Sequence, residues 1–182
     1  MTVEEFLKVD SNFNEASFIN KVDNTFIKLF TAIMLDELDN VKHFISNELY
    51  DYYKKKNEEM NLHNQRQMYD ELNVKSSRIN NIFVNEDNYV IEVYLEARYM
   101  DYIIDLESGN KISGNDESRV QDNYILQFVR KIDIKQQGMV RRCPGCGAPM
   151  DINNNGKCSY CGANYNLEDY DWILNSIKKD SF

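Results

Sequence analysis

The sequence predicts an α+β fold followed by a small cysteine-bearing module. Three observations carry this. Apolar residues recur at three- and four-residue intervals up to about residue 66. From about 67 to 134 they alternate instead. The chain's 4 cysteines all fall beyond that point, in two matching knuckles. A helical half followed by long strands predicts helices lying on one face of a curved antiparallel sheet.

The first elements are helical. Thr2 and Glu5 have the spacing of a capping box. Phe18, Val22, Phe26, Phe30 and Met34 then repeat at helical spacing, with Ile19, Ile27 and Ile33 beside them. Such a wide apolar stripe faces a core. A break is expected at Asp39 or Asn40. A further helical stretch is expected to carry Val41, Phe44 and Ile45, then Leu49, Tyr50 and Tyr53. Lys54, Lys55 and Lys56, followed by Glu58 and Glu59, read as its solvated face.

The strands follow. Ile91, Val93, Leu95, Ala97 and Tyr99 alternate with Glu92, Tyr94, Glu96 and Arg98, a strand with one buried face. Residues 85–88 and Ser108–Asn110 carry turn signals. Val120 to Ile132 reads as a second long strand, with Tyr124, Leu126 and Phe128 on one face. Residues 135–139 are the expected hinge into the cysteine module. After it, Tyr170, Ile173, Leu174 and Ile177 repeat at helical spacing beside Trp172, with Asn166 as N-cap and Glu168 and Asp169 at the helix start. This predicts a short amphipathic helix that docks on the main domain or on a partner.

The knuckles read Cys143-Pro-Gly-Cys146-Gly and Cys158-Ser-Tyr-Cys161-Gly. Each pair aims two thiolates at one ion, and the glycine behind it relieves the tight turn. Cys143, Cys146, Cys158 and Cys161 together suit a closed tetrahedral zinc site. Rubredoxin-like iron is the alternative. Four thiolates leave no open coordination position, so one zinc ion here is expected to be structural, and the module too small to fold without it.

Composition narrows the function. A net charge of −9 repels nucleic acid unless a separate basic patch exists. Arg130, Lys131, Lys135, Arg141, Arg142 and Lys157 are the cations near the module, so a zinc-ribbon nucleic-acid binder is one reading. The longest apolar stretch, Phe26 to Leu38, is interrupted by Lys28, Asp36 and Glu37 and falls short of a membrane span. Acidic Glu4 and Glu5 stand where a signal peptide needs basic residues. A cytoplasmic protein is expected, in keeping with four reduced thiols at metal spacing. Neither His43 nor His63 neighbours a recognisable nucleophile, and no phosphate loop or dinucleotide fingerprint is present. The one catalytic arrangement to weigh is Tyr99, Asp101, Tyr102 and Asp105 at a strand end. There Asp101 or Asp105 would be the base of an isomerase or dehydratase. The plain alternative is turn entry.

Several segments together resemble a known family. They are Phe44 to Tyr50, Ala97 to Asp105 with its Ser-Gly turn, Phe128 to Lys131 leading into Cys143 to Ile152, and a tail bearing Trp172. The chain is similar to the bacterial, zinc-ribbon-bearing relatives of Tim44, a subunit of the mitochondrial inner-membrane import translocase. The resemblance implies a nuclear transport factor two-like cone over residues 1–138, a zinc ribbon over 139–165 and a C-terminal amphipathic helix over 166–182. It implies a non-enzymatic binding or scaffold protein linked to protein transport or the membrane surface. The cone would leave an apolar pocket for a side chain, peptide or lipid tail, while the ribbon and tail would cap the cone or contact a protein partner. The expected pocket residues are Phe18, Val22, Phe26, Ile91, Val93, Leu95, Tyr124 and Phe128, with plain core packing as the alternative for each. Sheet faces of such cones also pair into homodimers. The sequence lacks the motor-recruiting region and membrane segment of the mitochondrial relative, and its acidic charge disfavours anionic lipid.

Overall fold

The structure, a computed structural model, describes residues 1–133, 141–143, 146–150, 158–162 and 171–181. The expected hinge at 135–139, the spacer from Asp151 to Lys157 and the tail residues Asn166 to Tyr170 lie outside them.

Helix α1 spans Val3–Val9, and its capping box is complete. The Glu5 amide donates to Thr2 Oγ1 at 3.2 Å, while the Thr2 amide donates to Glu5 Oε2 at 2.9 Å. Helix α2 spans Glu15–Leu35, with the Ser17 amide on the Asn14 carboxamide oxygen at 2.9 Å. Its apolar stripe buries Phe18, Val22, Phe26, Leu29, Phe30 and Ile33. The helix stops earlier than expected. Asp36 takes the left-handed conformation (φ 58°), and a single 3-10 turn, Leu38–Asn40, follows. Asp and Asn tolerate that conformation better than other side chains.

Helix α3 spans Asn47–Leu62 and is capped by Ser46, whose hydroxyl accepts the Leu49 amide at 3.2 Å. Val41, Phe44 and Ile45 therefore precede the helix, contrary to the helical reading. They are held by a different partner. The Ser46 amide donates to the Leu174 carbonyl at 2.8 Å and the Leu174 amide to the Phe44 carbonyl at 2.9 Å. That pairing forms a parallel bridge between Ile45 and Leu174, and His43 sits in the turn before it.

Four strands build one antiparallel sheet in the order β1-β2-β3-β6. They span Gln65–Asn85 (β1), Asn88–Asp105 (β2), Lys111–Lys131 (β3) and Ile173–Lys179 (β6). Two short strands, Arg141–Arg142 (β4) and Pro149–Met150 (β5), pair with each other around the first knuckle. The turns between β1 and β2 and between β2 and β3 fall where the sequence placed them. The alternation on β2 is also as read: Ile91, Val93, Leu95 and Ala97 are fully buried beneath α2, and Tyr99 nearly so. Strand β3 starts earlier than expected, at Lys111 and not Val120, and β1 was not set out as a strand. Edge strand β1 buries Ile82 alone and carries three register shifts against β2. Bulges on an edge strand discourage pairing with another chain.

The C-terminal helix is the main correction. Residues 173–179 form strand β6, antiparallel to β3. The misreading has a physical cause. Leu126 pairs with Ile177 and Gln127 with Ser176, but Phe128 pairs with Leu174, so Asn175 bulges out. The bulge resets the alternation and puts Leu174 and Ile177, three residues apart, on the same face. A spacing of three imitates a helix. The tail is thus the fourth strand of the sheet, and the cysteine segment lies in the connection between β3 and β6. Trp172 buries its ring among Phe6, Phe13 and Phe18, at centroid distances of 6.2, 6.4 and 5.4 Å.

Candidate functional site: a cysteine cluster and the helix-bearing face of the sheet

The two knuckles are closed by the same backbone bond. The Gly147 amide donates to the Cys143 carbonyl and the Gly162 amide to the Cys158 carbonyl, both at 2.9 Å. Both glycines have φ of +73°, which only glycine adopts freely. The β4–β5 pair and a bond from the Cys143 amide to the Ala148 carbonyl at 2.8 Å fix the first knuckle.

This geometry brings all four sulfurs within 4.8 Å of one another. Cys143 and Cys161 approach to 3.6 Å, and Cys146 and Cys158 to 3.7 Å. All four are free thiols rather than disulfides. A tetrahedron with metal–sulfur bonds of about 2.3 Å has sulfurs about 3.8 Å apart, so the cluster fits a four-thiolate ion. Amide donors of Cys161 and Tyr160 hold the Cys158 thiol down to about 6. Cys143 and Cys158 are buried, whereas Cys146 and Cys161 are exposed.

Phe18, Val22, Phe26, Ile91, Val93, Leu95, Tyr124 and Phe128 all belong to the single buried core between α2 and the sheet. Their rings pack on each other: Phe18 meets Phe128 at 5.6 Å and Phe26 meets Tyr124 at 5.2 Å.

The strand-end acids divide. Asp105 is a turn residue, whose Oδ1 accepts the Ser108 amide and hydroxyl, each at 2.8 Å. Those donors hold its carboxyl below the usual range, the opposite of what a general base near neutrality needs. Tyr102 faces away from Tyr99 and donates to Asp70. Asp101 shares the helix-bearing face with Tyr99, and its Oδ1 accepts Gln67 Nε2 at 2.7 Å. Beside them stand Asp122 and Lys179, which the sequence reading did not single out. The Tyr99 hydroxyl donates to Asp122 at 2.5 Å and also meets the Tyr124 hydroxyl. Asp122 in turn pairs with Lys179 at 2.7 Å. Burial, the neighbouring tyrosine and Asp122 all push the Tyr99 hydroxyl far above its ordinary value. Asp122 alternates in step with Tyr124, Leu126 and Phe128, a pattern that could have placed it on this face.

Of the cations weighed for nucleic acid, Arg130 is committed elsewhere. It is buried, with Nη2 on Asp10 Oδ2 at 2.8 Å and its guanidinium 4.8 Å above the Trp172 ring. Lys135 and Lys157 lie outside the described residues. No helix among the described residues is long and apolar enough to cross a membrane.

The architecture is that of an α+β protein with a curved four-stranded antiparallel sheet, helices on one face and a cysteine cluster in its last connection. The chain belongs to the Tim44-like domain family, whose model matches residues 1–139. The cysteine knuckles lie beyond the matched span. No curated protein matches the chain. Among solved structures it is similar to the intermembrane space region of chloroplast protein ARC6. That similarity has 11% identity and a TM-score of 0.43, over 92% of this chain and 97% of that one.

Proposed function

We propose that this protein is a non-enzymatic binding or scaffold protein of the Tim44-like family, linked to protein transport or to a membrane surface. The observation that carries the reading is family membership over residues 1–139. On this reading the sheet and helices form a nuclear transport factor two-like cone. It takes an apolar side chain, peptide or lipid tail against the face built by Phe18, Val22, Phe26, Ile91, Val93, Leu95, Tyr124 and Phe128. Cys143, Cys146, Cys158 and Cys161 hold one structural zinc, and the folded ribbon presents a surface to a protein partner. Zinc supplies only cross-linking of the two knuckles, because four thiolates fill its coordination sphere. Cytoplasmic residence follows from thiols kept reduced for metal. The depressed Asp105 carboxyl and its turn-capping bonds weigh against the isomerase reading.

Native mass spectrometry of protein purified without detergent tests this. One zinc per chain together with a retained lipid or peptide mass is the expected result. Zinc with no retained mass and no saturable uptake of a fluorescent fatty acid or an apolar peptide would overturn the pocket. Iron in place of zinc would overturn the structural-zinc assignment.

A further inference from the structure

The face of the sheet opposite the helices carries one apolar row. Ladder partners run Phe83, Val90, Val129 and Ile173 across all four strands. The next row is polar: Asn81, Glu92, Gln127 and Ser176. An antiparallel sheet commonly leaves such a face to water. Two rows further on, Tyr94 and Ile125 of the same central strands are only half-buried. Val90 and Ile173 differ from them, with 4% and 5% of their surface exposed. Neither belongs to the core beneath the helices. A cover therefore lies on this end of the outer face, and with one chain present the chain itself supplies it.

Among the described residues, the other apolar side chains buried outside that core are Cys143 and Cys158, at 3% and 5%. Cys146 and Cys161 are exposed, and so is Tyr160 in the second knuckle. The cysteine module thus has a sheltered side and an open side. It is also tethered at the apolar row. Strand β3 ends at Lys131, two residues past Val129, and β6 begins at Ile173 itself, so the connection carrying the module leaves and rejoins the sheet there. The helices are engaged on the opposite face, and a second copy would leave Val90 open in a single chain.

We propose that the cysteine module seats its Cys143 and Cys158 side on the row Phe83, Val90, Val129 and Ile173. The module then stands behind the sheet rather than over the helix-bearing face, and it turns Cys146, Cys161 and Tyr160 outward. This goes beyond the binding-domain reading and does not rest on it.

The test is methyl NMR of the metal-loaded full chain. The Val90 and Ile173 methyls should show nuclear Overhauser effects to protons of residues 141–143, 146–150 or 158–162. They should also resist broadening by a soluble gadolinium chelate that broadens the Ile125 methyls on the same face. Val90→Thr with Ile173→Thr, which keeps strand-forming side chains, should speed metal transfer to a chromogenic chelator several-fold. Ile125→Thr should leave that rate unchanged. Broadening of Val90 and Ile173 equal to that of Ile125 would overturn the seat. So would equal transfer rates in the two variants, or contacts to these methyls that arise only between differently labelled copies. Loss of retained ligand in native mass spectrometry would count against the apolar pocket and leave the seat standing.

Discussion

Asn57 Nδ2 lies 3.0 Å from Asp36 Oδ1 and 3.1 Å from the Ile33 carbonyl, so one buried amide of α3 closes the C-terminus of α2. Asp36 Oδ2 is also held, by Asn61 at 2.8 Å. A helix end leaves carbonyls without partners, and a buried carbonyl without one is costly. Asn57→Ala should therefore destabilise the fold by about 1–3 kcal/mol. Chemical denaturation followed by the helical signal measures it, and a loss below about 0.5 kcal/mol would show the clamp to be idle.

Gly114 is constrained by close approach. A Cβ there would lie 2.3 Å from the Asp101 carbonyl oxygen and 2.5 Å from Tyr102 Cα, at a φ of +89°. Both neighbours are backbone, so the strand pair must move. Gly114→Ala should lower stability by about 1–3 kcal/mol. It should also perturb the Asp101 amide in NMR spectra, because the displaced backbone is its own. A thermal melt that matches wild type would remove the constraint.

The sheet should survive loss of the cysteine cluster. A metal cross-link between the knuckles shortens the connection of residues 132–172 by less than half, which loop-closure entropy values at about 0.5 kcal/mol. That is too little to hold or release β6. Cys146→Ser, or chelation, should thus abolish stoichiometric zinc while leaving the emission of the single Trp, Trp172, unchanged. Collapse of the Trp172 signal with metal loss would show one cooperative unit.

Removing the tail should do the opposite. Leu174 and Trp172 are core residues, and β6 covers the outer edge of β3. A chain ended after residue 170 should lose cooperative unfolding and aggregate through the opened edge. An appended helix would have predicted a stable remainder.

His43 gives the fold a pH dependence. Burial first, and the Lys42 charge second, hold its imidazole below the ordinary 6.5. The unfolded chain therefore binds the proton more readily than the folded one. Stability is full above the unfolded value and falls as pH drops through it toward the lower folded one. His43→Gln should flatten the fall of stability as pH drops below the ordinary histidine value of 6.5. An unaltered slope would assign the effect to other groups.

What the sequence disclosed was mostly local. Thr2 with Glu5 disclosed a helix start, and the α2 stripe and the β2 alternation disclosed buried faces, because each signal lies within a few residues of itself. The cysteine grouping was legible for the same reason: Cys-x-x-Cys-Gly dictates its own turn. The α2 stop was misplaced because Asp36 adopts its left-handed turn against Asn57 and Asn61, which lie on another helix. β1 was nearly silent, since an edge strand with one fully buried side chain and three bulges has no clean period. β6 imitated a helix through its bulge at Asn175. The Asp101 surroundings were hidden for a different reason. Gln67 bonds it and Tyr69 pairs with it from another strand, β1, and no spacing rule links them.

The order of the strands in the sheet also sets an order in time. On a ribosome, β1, β2 and β3 emerge first, and the partner for β3's outer edge comes only after residues 132–172. At ordinary elongation rates that interval is roughly 2–8 s. During it a three-stranded sheet waits with an open edge and without Trp172 in its core. A nascent chain in that state is a natural client for a chaperone, and the cysteine knuckles are the stretch being synthesised while it waits.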